Sequence, residues 1–428
     1  MTEPEQIDAR ERDLLCMVTA GSVDDGKSTL IGRLLLDLDV LPHDQLAAIE
    51  QTARRNGHSA PNLAHLTDGL RAERDQGITI DVGYRFFATP NRRFIVADVP
   101  GHEQYTRNMV TGASTAELAL VLIDARKGMT HQSRRHIFLT RLLGTPSLVV
   151  AVNKMDMVDY SETAFAAIKT EMATFCATLG IGEVHFVPVS ALKGDNIVHP
   201  GGAMPWYRGE TILELLEGLD VTSRLGAGPL RMPVQMVSRP QSAEHPDFRG
   251  YMGRIESGSI RIGDIIRIQP SGLSSVVTDI LAGKTNLPEA SYPQSVTLCL
   301  ADDIDVGRGD LIADAAEPAK VARQIDAMLC WLDDKPLDRG RDYLIKHGTA
   351  LVRGRFTDLG GTIDIDSLAE APIGPAPGQN DIFRATIKLQ RPVAYDNYGD
   401  NRTTGAFVVI DETSNATVAA GMIGVDIP

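Results

Sequence analysis

The sequence is poor in the features that hold small secreted folds together. Its 428 residues include four cysteines, Cys16, Cys176, Cys299 and Cys330, far apart and with no Cys-x-x-Cys or Cys/His cluster of zinc spacing. Disulfide scaffolding and a structural zinc are thereby set aside, and buried free thiols are expected. No apolar run approaches the roughly 18 to 20 residues of a membrane-spanning helix, so no membrane partner is expected. The opening MTEPEQIDARERDLL is acidic and polar, unlike a secretory or organelle-targeting peptide, which predicts a cytoplasmic protein. Positive charge is also short: 42 Lys and Arg face 56 Asp and Glu, a net charge of −14. That balance argues against a large nonspecific nucleic-acid surface, and no nucleic-acid partner is expected. A second phosphate loop is missing too, since AGKT at Ala282 to Thr285 has Thr278 where the first glycine belongs.

What is present is ordinary soluble composition, 43% hydrophobic and 23% charged, in a chain long enough for two or three domains. From Leu14 to Val189 apolar runs alternate with polar or helix-patterned segments, as in a doubly wound, mostly parallel α/β sheet. LLCMVTA leads into a glycine loop and a helix, and further strands are expected to end at Asp98, Asp124, Asn153 and Ser190. Such sheets bind ligands at the carboxyl ends of their strands. TILELLEGLD reads as the last helix of this part, and short β-like runs follow from about Arg231. In GRIESGSIRIGD the glycines Gly253, Gly258 and Gly263 space strand, turn and strand, and a second β-rich section is expected to begin near Cys330 and Trp331. The predicted architecture is a doubly wound α/β domain over 1–225, followed by β-barrels over 226–320 and 321–428.

The chemistry is concentrated at the strand ends. Gly21-x-x-x-x-Gly26-Lys27-Ser28 has the spacing of a phosphate loop, in which backbone N–H groups face the β-phosphate, Lys27 reaches the β/γ oxygens and the Ser28 hydroxyl binds Mg²⁺. Its acids, Asp24 and Asp25, are unexpected beside a polyanion. Side chains at the variable positions are expected to point away, with Asp24 bracing the loop or a metal-bound water. In DVPGH, Asp98 is placed to hold Mg²⁺ through water and the Gly101 N–H to sense a γ-phosphate, while His102 is a candidate to orient the attacking water. Thr79 in ERDQGITID is the candidate second hydroxyl on Mg²⁺. NKMD, Asn153 to Asp156, selects the base: a carboxylate at Asp156 accepts from guanine N1–H and its exocyclic amine, donors that adenine lacks at that edge. Ser190, Ala191 and Leu192 complete the pocket through backbone N–H to guanine O6. The nucleotide expected is GTP, or GDP after hydrolysis.

With these motifs in order, the chain resembles the translation-factor class of GTPases. GSVDDGKSTLIGRLL, AERDQGITIDVGYRFF, MPWYRGETILELLE, DFRGYMGRIESGSIRIGD, DDIDVGRGDLI and TGAFVVIDETSNATVAAGMI are similar to one family within it, the large GTP-binding subunit of bacterial sulfate adenylyltransferase. The resemblance runs nearly end to end. It implies a heterodimer of sulfate assimilation in which a separate small catalytic subunit joins ATP and sulfate into adenosine 5′-phosphosulfate and diphosphate, driven by GTP hydrolysis here. The lack of a second phosphate loop argues against a fused adenylylsulfate kinase domain. Carried over by position, Gly21, Ser22, Val23, Asp24, Asp25, Gly26, Lys27, Ser28 and Thr29 would line the phosphates. Ser28, Thr79 and Asp98 would form the metal shell, with Gly101 at the γ-phosphate. Lys27, Thr79 and His102 would serve catalysis, and Asn153, Lys154, Asp156, Ser190, Ala191 and Leu192 would hold the base.

The alternative is an elongation factor that delivers aminoacyl-tRNA. Such factors carry phosphate-loop histidines where this chain has Ser22 and Asp25, and arginines for tRNA where it has Ala406 and Ile410. Losing those cations weakens phosphate contacts. The base assignment has a direct test: Asp156→Asn is expected to weaken GTP binding at least about tenfold and to favour xanthine nucleotides. Unchanged guanine preference in a GTP/XTP competition would refute it.

Overall fold

Helical and extended segments alternate through the first half of the chain, each taking its form from its apolar spacing. The computed structural model describes residues 13–41, 63, 79–220, 226–240, 248–372, 374 and 376–425. The opening stretch through Arg12 and the part of ERDQGITID through Ile78 lie outside the described residues. The chain divides into two units, Met1–Val221 with Ile427–Pro428, and Thr222–Asp426.

The first unit holds strands β1 (Leu14–Ala20), β2 (Gly83–Ala88), β3 (Arg93–Asp98), β4 (Leu118–Asp124), β5 (Ser147–Asn153) and β6 (Val184–Pro188). Its helices are α1 (Lys27–Asp37), α2 (Thr106–Ala113), α3 (His131–Leu142), α4 (Glu162–Thr178) and α5 (Ile212–Gly218). The sheet order is β2-β3-β1-β4-β5-β6, parallel except for the antiparallel edge strand β2. Every residue of β4 and β5 is buried, as expected of parallel strands with both faces covered. Leu30, Ile31, Leu34 and Leu35 form one stripe on α1 and join Leu15, Met17, Leu120 and Leu122 in the core. From β1 the chain moves to one side for β3 and to the other for β4, so the carboxyl end of β1 is the switch point of the sheet. One expected strand is shorter: β6 stops at Pro188, and Ser190 instead bridges to Asp195 in the following turn.

The second unit contains two closed barrels. In the first, a seven-stranded sheet closes through pairing of Ile265–Gln269 with Ser274–Ala282. Gly258 and Gly263, at φ 72° and 94°, make the turns expected of GRIESGSIRIGD. In the second, Tyr343–His347 pairs with Ala350–Ile363 to close another seven-stranded sheet. That section begins earlier than expected, at strand Lys320–Trp331, of which Cys330 and Trp331 are the end. The strand's first five residues, Lys320 to Gln324, are exposed or half-buried and mix Val321 and Ala322 with charged and polar side chains, so no apolar alternation marks them. All four cysteines are free, Cys176 and Cys330 buried and Cys16 and Cys299 half-buried. Among the described residues no helix is long and apolar enough to cross a membrane.

The barrels meet at a polar seam. Arg231, 4% exposed, donates from Nε and Nη2 to the two carboxylate oxygens of Asp396 at 2.8 and 2.9 Å, and from Nη1 to the carbonyls of Leu230 and Glu317. Burial pushes the Asp396 carboxyl up, but Arg231 and the Thr404 hydroxyl hold it below its ordinary value. Gln269 adds a two-way amide bond with the Ala319 backbone, at 2.6 and 2.9 Å. Arg231→Met would strip the half-buried Asp396 carboxylate of its cation and leave it the Thr404 hydroxyl, with an expected cost of about 3 kcal/mol in urea unfolding. A loss under about 1 kcal/mol, the scale of an exposed pair, would refute a structural seam.

Candidate nucleotide-binding site

The loop between β1 and α1 owes its shape to three residues with positive φ, Gly21 at 150°, Asp24 at 67° and Gly26 at 94°. Gly26 caps α1 without any side-chain hydrogen bond, so the first-turn N–H groups of that helix are available to an anion. The rest of the loop backbone is braced from behind. Gly21 N–H donates to His136 Nδ1 at 3.0 Å, and Ser22 N–H to Asp25 Oδ2 at 2.7 Å. Asn153 Nδ2 donates to Asp25 O at 2.8 Å, Lys154 Nζ to Asp24 O, and Lys27 Nζ to the carbonyls of Gly21 and Ser22 at 3.0 Å each. The Ser22 hydroxyl pairs with that of Thr130, the N-cap of α3, at 2.8 Å. Val23, Ser28 and Thr29 are half-buried.

The acid whose side chain braces the loop is Asp25, whereas that of Asp24 points away. Asp24 is exposed and contributes its carbonyl, whereas Asp25, 1% exposed, turns inward and braces Ser22. The left-handed turn at Asp24 directs one side chain to solvent and the next into the domain. Burial pushes the Asp25 carboxyl up, against the pull of Lys27 and the Ser22 N–H, and Asp25 Oδ1 is buried without a hydrogen-bond partner. Lys27 is itself buried, which lowers its pKa against Asp98, Asp25 and Asp24.

At the end of β3, Asp98 is 3% exposed and accepts from Thr19 Oγ1 at 2.9 Å and Ser28 Oγ at 3.4 Å. Gly101 packs against the loop so closely that a Cβ there would lie 2.6 Å from Lys27 Nζ and 2.7 Å from Gly21 O. His102 is exposed, its ring edge-on to Tyr105 at 6.3 Å. Thr79 is half-buried and makes no hydrogen bond to Ser28 or Asp98; the next carbonyl, of Ile80, accepts from Asn108 Nδ2 at 2.7 Å.

At the end of β5, Asn153 joins two segments, since its Oδ1 accepts from Ala191 N–H at 2.9 Å while its Nδ2 holds Asp25 O. The Ala191 N–H expected at guanine O6 is therefore engaged within the protein. Asp156 accepts from Ser190 Oγ at 2.7 Å, which fixes the carboxylate beside the SAL turn. Arg33 of α1 donates to the carbonyls of Ala191 and Leu192, and Leu192 stands 57% exposed at the rim.

Residues 12–224 match the family of the Elongation factor Tu GTP binding domain, and residues 324–424 match the GTP-eEF1A C-terminal domain-like family. Sulfate adenylyltransferase subunit 1 of Aeromonas hydrophila is 47% identical over 416 residues, covering 97% of this chain and 86% of that one. The protein of the same name from Chromobacterium violaceum is 48% identical over 416 residues, covering 96% and 86%. The chain belongs to the sulfate adenylyltransferase subunit 1 family. The Bifunctional enzyme CysN/CysC of Mycobacterium tuberculosis is 48% identical over 411 residues, covering 96% of this chain and 67% of that protein. The solved structure of sup35 complexed with GMPPNP aligns over 98% of this chain and 96% of its own at 24% identity, with a TM-score of 0.44.

This subunit 1 family member has site residues that no local motif announces: Thr19, Arg33, Asp124, Thr130 and His136. Each meets the loop or the strand ends from a distant part of the sequence. His136 is 2% exposed. Burial, with Lys27 and Arg135 nearby, lowers its pKa from 6.5 to about 3. The ring is thus neutral, with Nδ1 accepting from Gly21 and its proton on Nε2, 3.1 Å from the end of the Gln132 amide, which accepts that proton when turned to present Oε1.

The sign of the resulting pH effect follows from the direction of the shift. The unfolded chain binds a proton below pH 6.5 that the folded ring refuses down to about pH 3. Stability from this group is therefore full above pH 6.5 and is lost as pH falls through that window, by up to about 1.4 kcal/mol per pH unit. His136→Asn keeps an acceptor oxygen near the Nδ1 position and does not titrate. Its urea unfolding without nucleotide is expected to lose about 1 kcal/mol less than wild type between about pH 6.5 and about pH 5.5. Equal losses in the two proteins would refute a neutral, loop-bracing His136.

Proposed function

We propose that this GTPase subunit hydrolyses GTP to drive the formation of adenosine 5′-phosphosulfate and diphosphate from ATP and sulfate, with ATP and sulfate held by a separate small catalytic subunit. The observation that carries this reading is the identity with sulfate adenylyltransferase subunit 1 proteins along nearly the whole chain. Joining sulfate to the adenylyl group is unfavourable, and GTP hydrolysis supplies the drive. A cytoplasmic heterodimer is the setting that suits this role.

In this reading the first-turn N–H groups of α1 receive the β-phosphate. Lys27 exchanges the carbonyls of Gly21 and Ser22 for phosphate oxygens, a short movement because its ammonium already lies at the loop. Gly101 offers its N–H to the γ-phosphate, Thr79 closes over it, and His102 orients the attacking water. Asn153 fixes the turn that presents Asp156 to guanine, with Lys154, Ser190, Ala191 and Leu192 around the base. Ser28 and Asp98, joined by Thr79, suit Mg²⁺: among the described residues no cluster of three His, Cys, Asp or Glu could hold a metal. A hydroxyl beside a buried carboxylate instead fits a hard cation that takes its other ligands from phosphates and water. When bound, that ion neutralises charge on the β- and γ-oxygens.

The test is to copurify the chain with its small partner subunit and assay adenosine 5′-phosphosulfate with and without GTP. GTP is expected to stimulate its formation, and GTP hydrolysis, slow in the isolated chain, is expected to rise when the partner, ATP and sulfate are present. No stimulation by GTP, or hydrolysis at equal rates with and without the partner, would overturn the reading.

A further inference from the structure

Asp124 ends β4 level with Asn153 of β5 and has none of the roles proposed above. Its side chain has no exposed surface, yet both oxygens face cations. Oδ1 accepts from Arg126 N–H at 2.9 Å and Nε at 3.0 Å; Oδ2 accepts from Arg126 Nη2 at 2.6 Å and Lys154 Nζ at 2.9 Å. Burial pushes the carboxyl up, but Arg126 and Lys154 hold it well below the ordinary carboxylate range. The same Lys154 ammonium donates to Asp24 O in the phosphate loop. It therefore spans from the end of β4 to that loop.

A lysine ammonium is a compact charge on a flexible four-carbon stem, and it is aimed only when a fixed acceptor holds it. Lys154 itself follows Asn153 in a left-handed backbone conformation, φ 63°, which sends its side chain back over the loop rather than along the strand. Asp124 is a fixed acceptor because Arg126 clamps it in two-point geometry. Arg126 also lies within electrostatic reach of Asp156.

We infer that Asp124 is a positioning residue for guanine-nucleotide binding: it holds the Lys154 ammonium between the base-reading turn and the phosphate loop, so that the two halves of the pocket retain the nucleotide as one unit. The inference rests on the reading of this pocket as the GTP site. It makes Asp124 a determinant of nucleotide release, acting through Lys154 and not on the nucleotide itself.

The experiment is a double-mutant cycle on the full chain. Wild type, Asp124→Asn, Lys154→Gln and the double variant are compared for affinity and release of a fluorescent GDP analogue, with thermal unfolding of the nucleotide-free proteins alongside. Asp124→Asn is expected to raise Kd about tenfold, mainly through faster release, and to add less than about twofold in the Lys154→Gln background. Equal fold-losses in the two backgrounds, or unchanged affinity in Asp124→Asn, would overturn the inference. If Asp124→Asn does not fold, Arg126→Met, at a 42% exposed side chain, carries the same test. Unclamping Asp124 should speed release in wild type and have no effect without Lys154; an effect that persists there overturns the inference. A wild type that binds no GDP analogue strikes the pocket reading itself, whereas additive losses in a wild type that binds strike this inference alone.

Discussion

A loop that turns its N–H groups toward a polyanion must find other partners for its carbonyls and for the N–H groups that face inward, because buried backbone polar groups are costly to leave unpaired. In this chain that requirement reaches through the whole first unit. The partners of the loop come from α3, from the turn after β5 and from the loop itself, through His136, Thr130, Asn153, Lys154, Asp25 and Lys27. The sheet serves as the frame that brings these ends together. Its all-buried central strands keep the carboxyl ends of β4 and β5 at fixed heights beside the loop.

The same requirement explains how a chain of net charge −14 carries so many acids around a site for phosphate. Asp25, Asp98 and Asp124 are all buried, and each is turned toward a donor within the protein. Asp25 accepts from Ser22, Asp98 from Thr19 and Ser28, and Asp124 from Arg126 and Lys154. The field of these acids on a bound phosphate is offset by the cations beside them, Lys27 near Asp25 and Asp98, and Arg126 and Lys154 on Asp124. Asp24, by contrast, projects into solvent, where its charge is screened.

The sheet, the helices and the order of the strand-end motifs were legible in the sequence because they rest on local signals. Apolar runs such as SLVVAVN, the α1 stripe and the glycine spacing each span a dozen residues or fewer. The roles of Asp24 and Asp25 were not legible, since adjacent acids are distinguished only by the backbone turn between them. His136 and Thr19 escaped for a different reason: Gly21 and Asp98, which they hold, lie 115 and 79 residues away in sequence, and a histidine inside an amphipathic helix looks like any other polar position; Asp124 was legible as a strand end, but not its hold on Lys154, 30 residues on. The start of Lys320–Trp331 was hidden because none of its first five residues is buried and its apolar ones, Val321 and Ala322, do not alternate with the polar ones.

The seam at Arg231 and Asp396 bears on how such a chain could be recombined. Its side-chain bonds cross from one barrel to the other, while Arg231 and Gln269 also grip the connecting segment at Glu317 and Ala319. A crossover placed between the barrels would separate a buried arginine from its carboxylate. Chimeras between relatives should therefore carry the region from 226 to 425 as a single cassette, and a natural lineage could exchange it only whole.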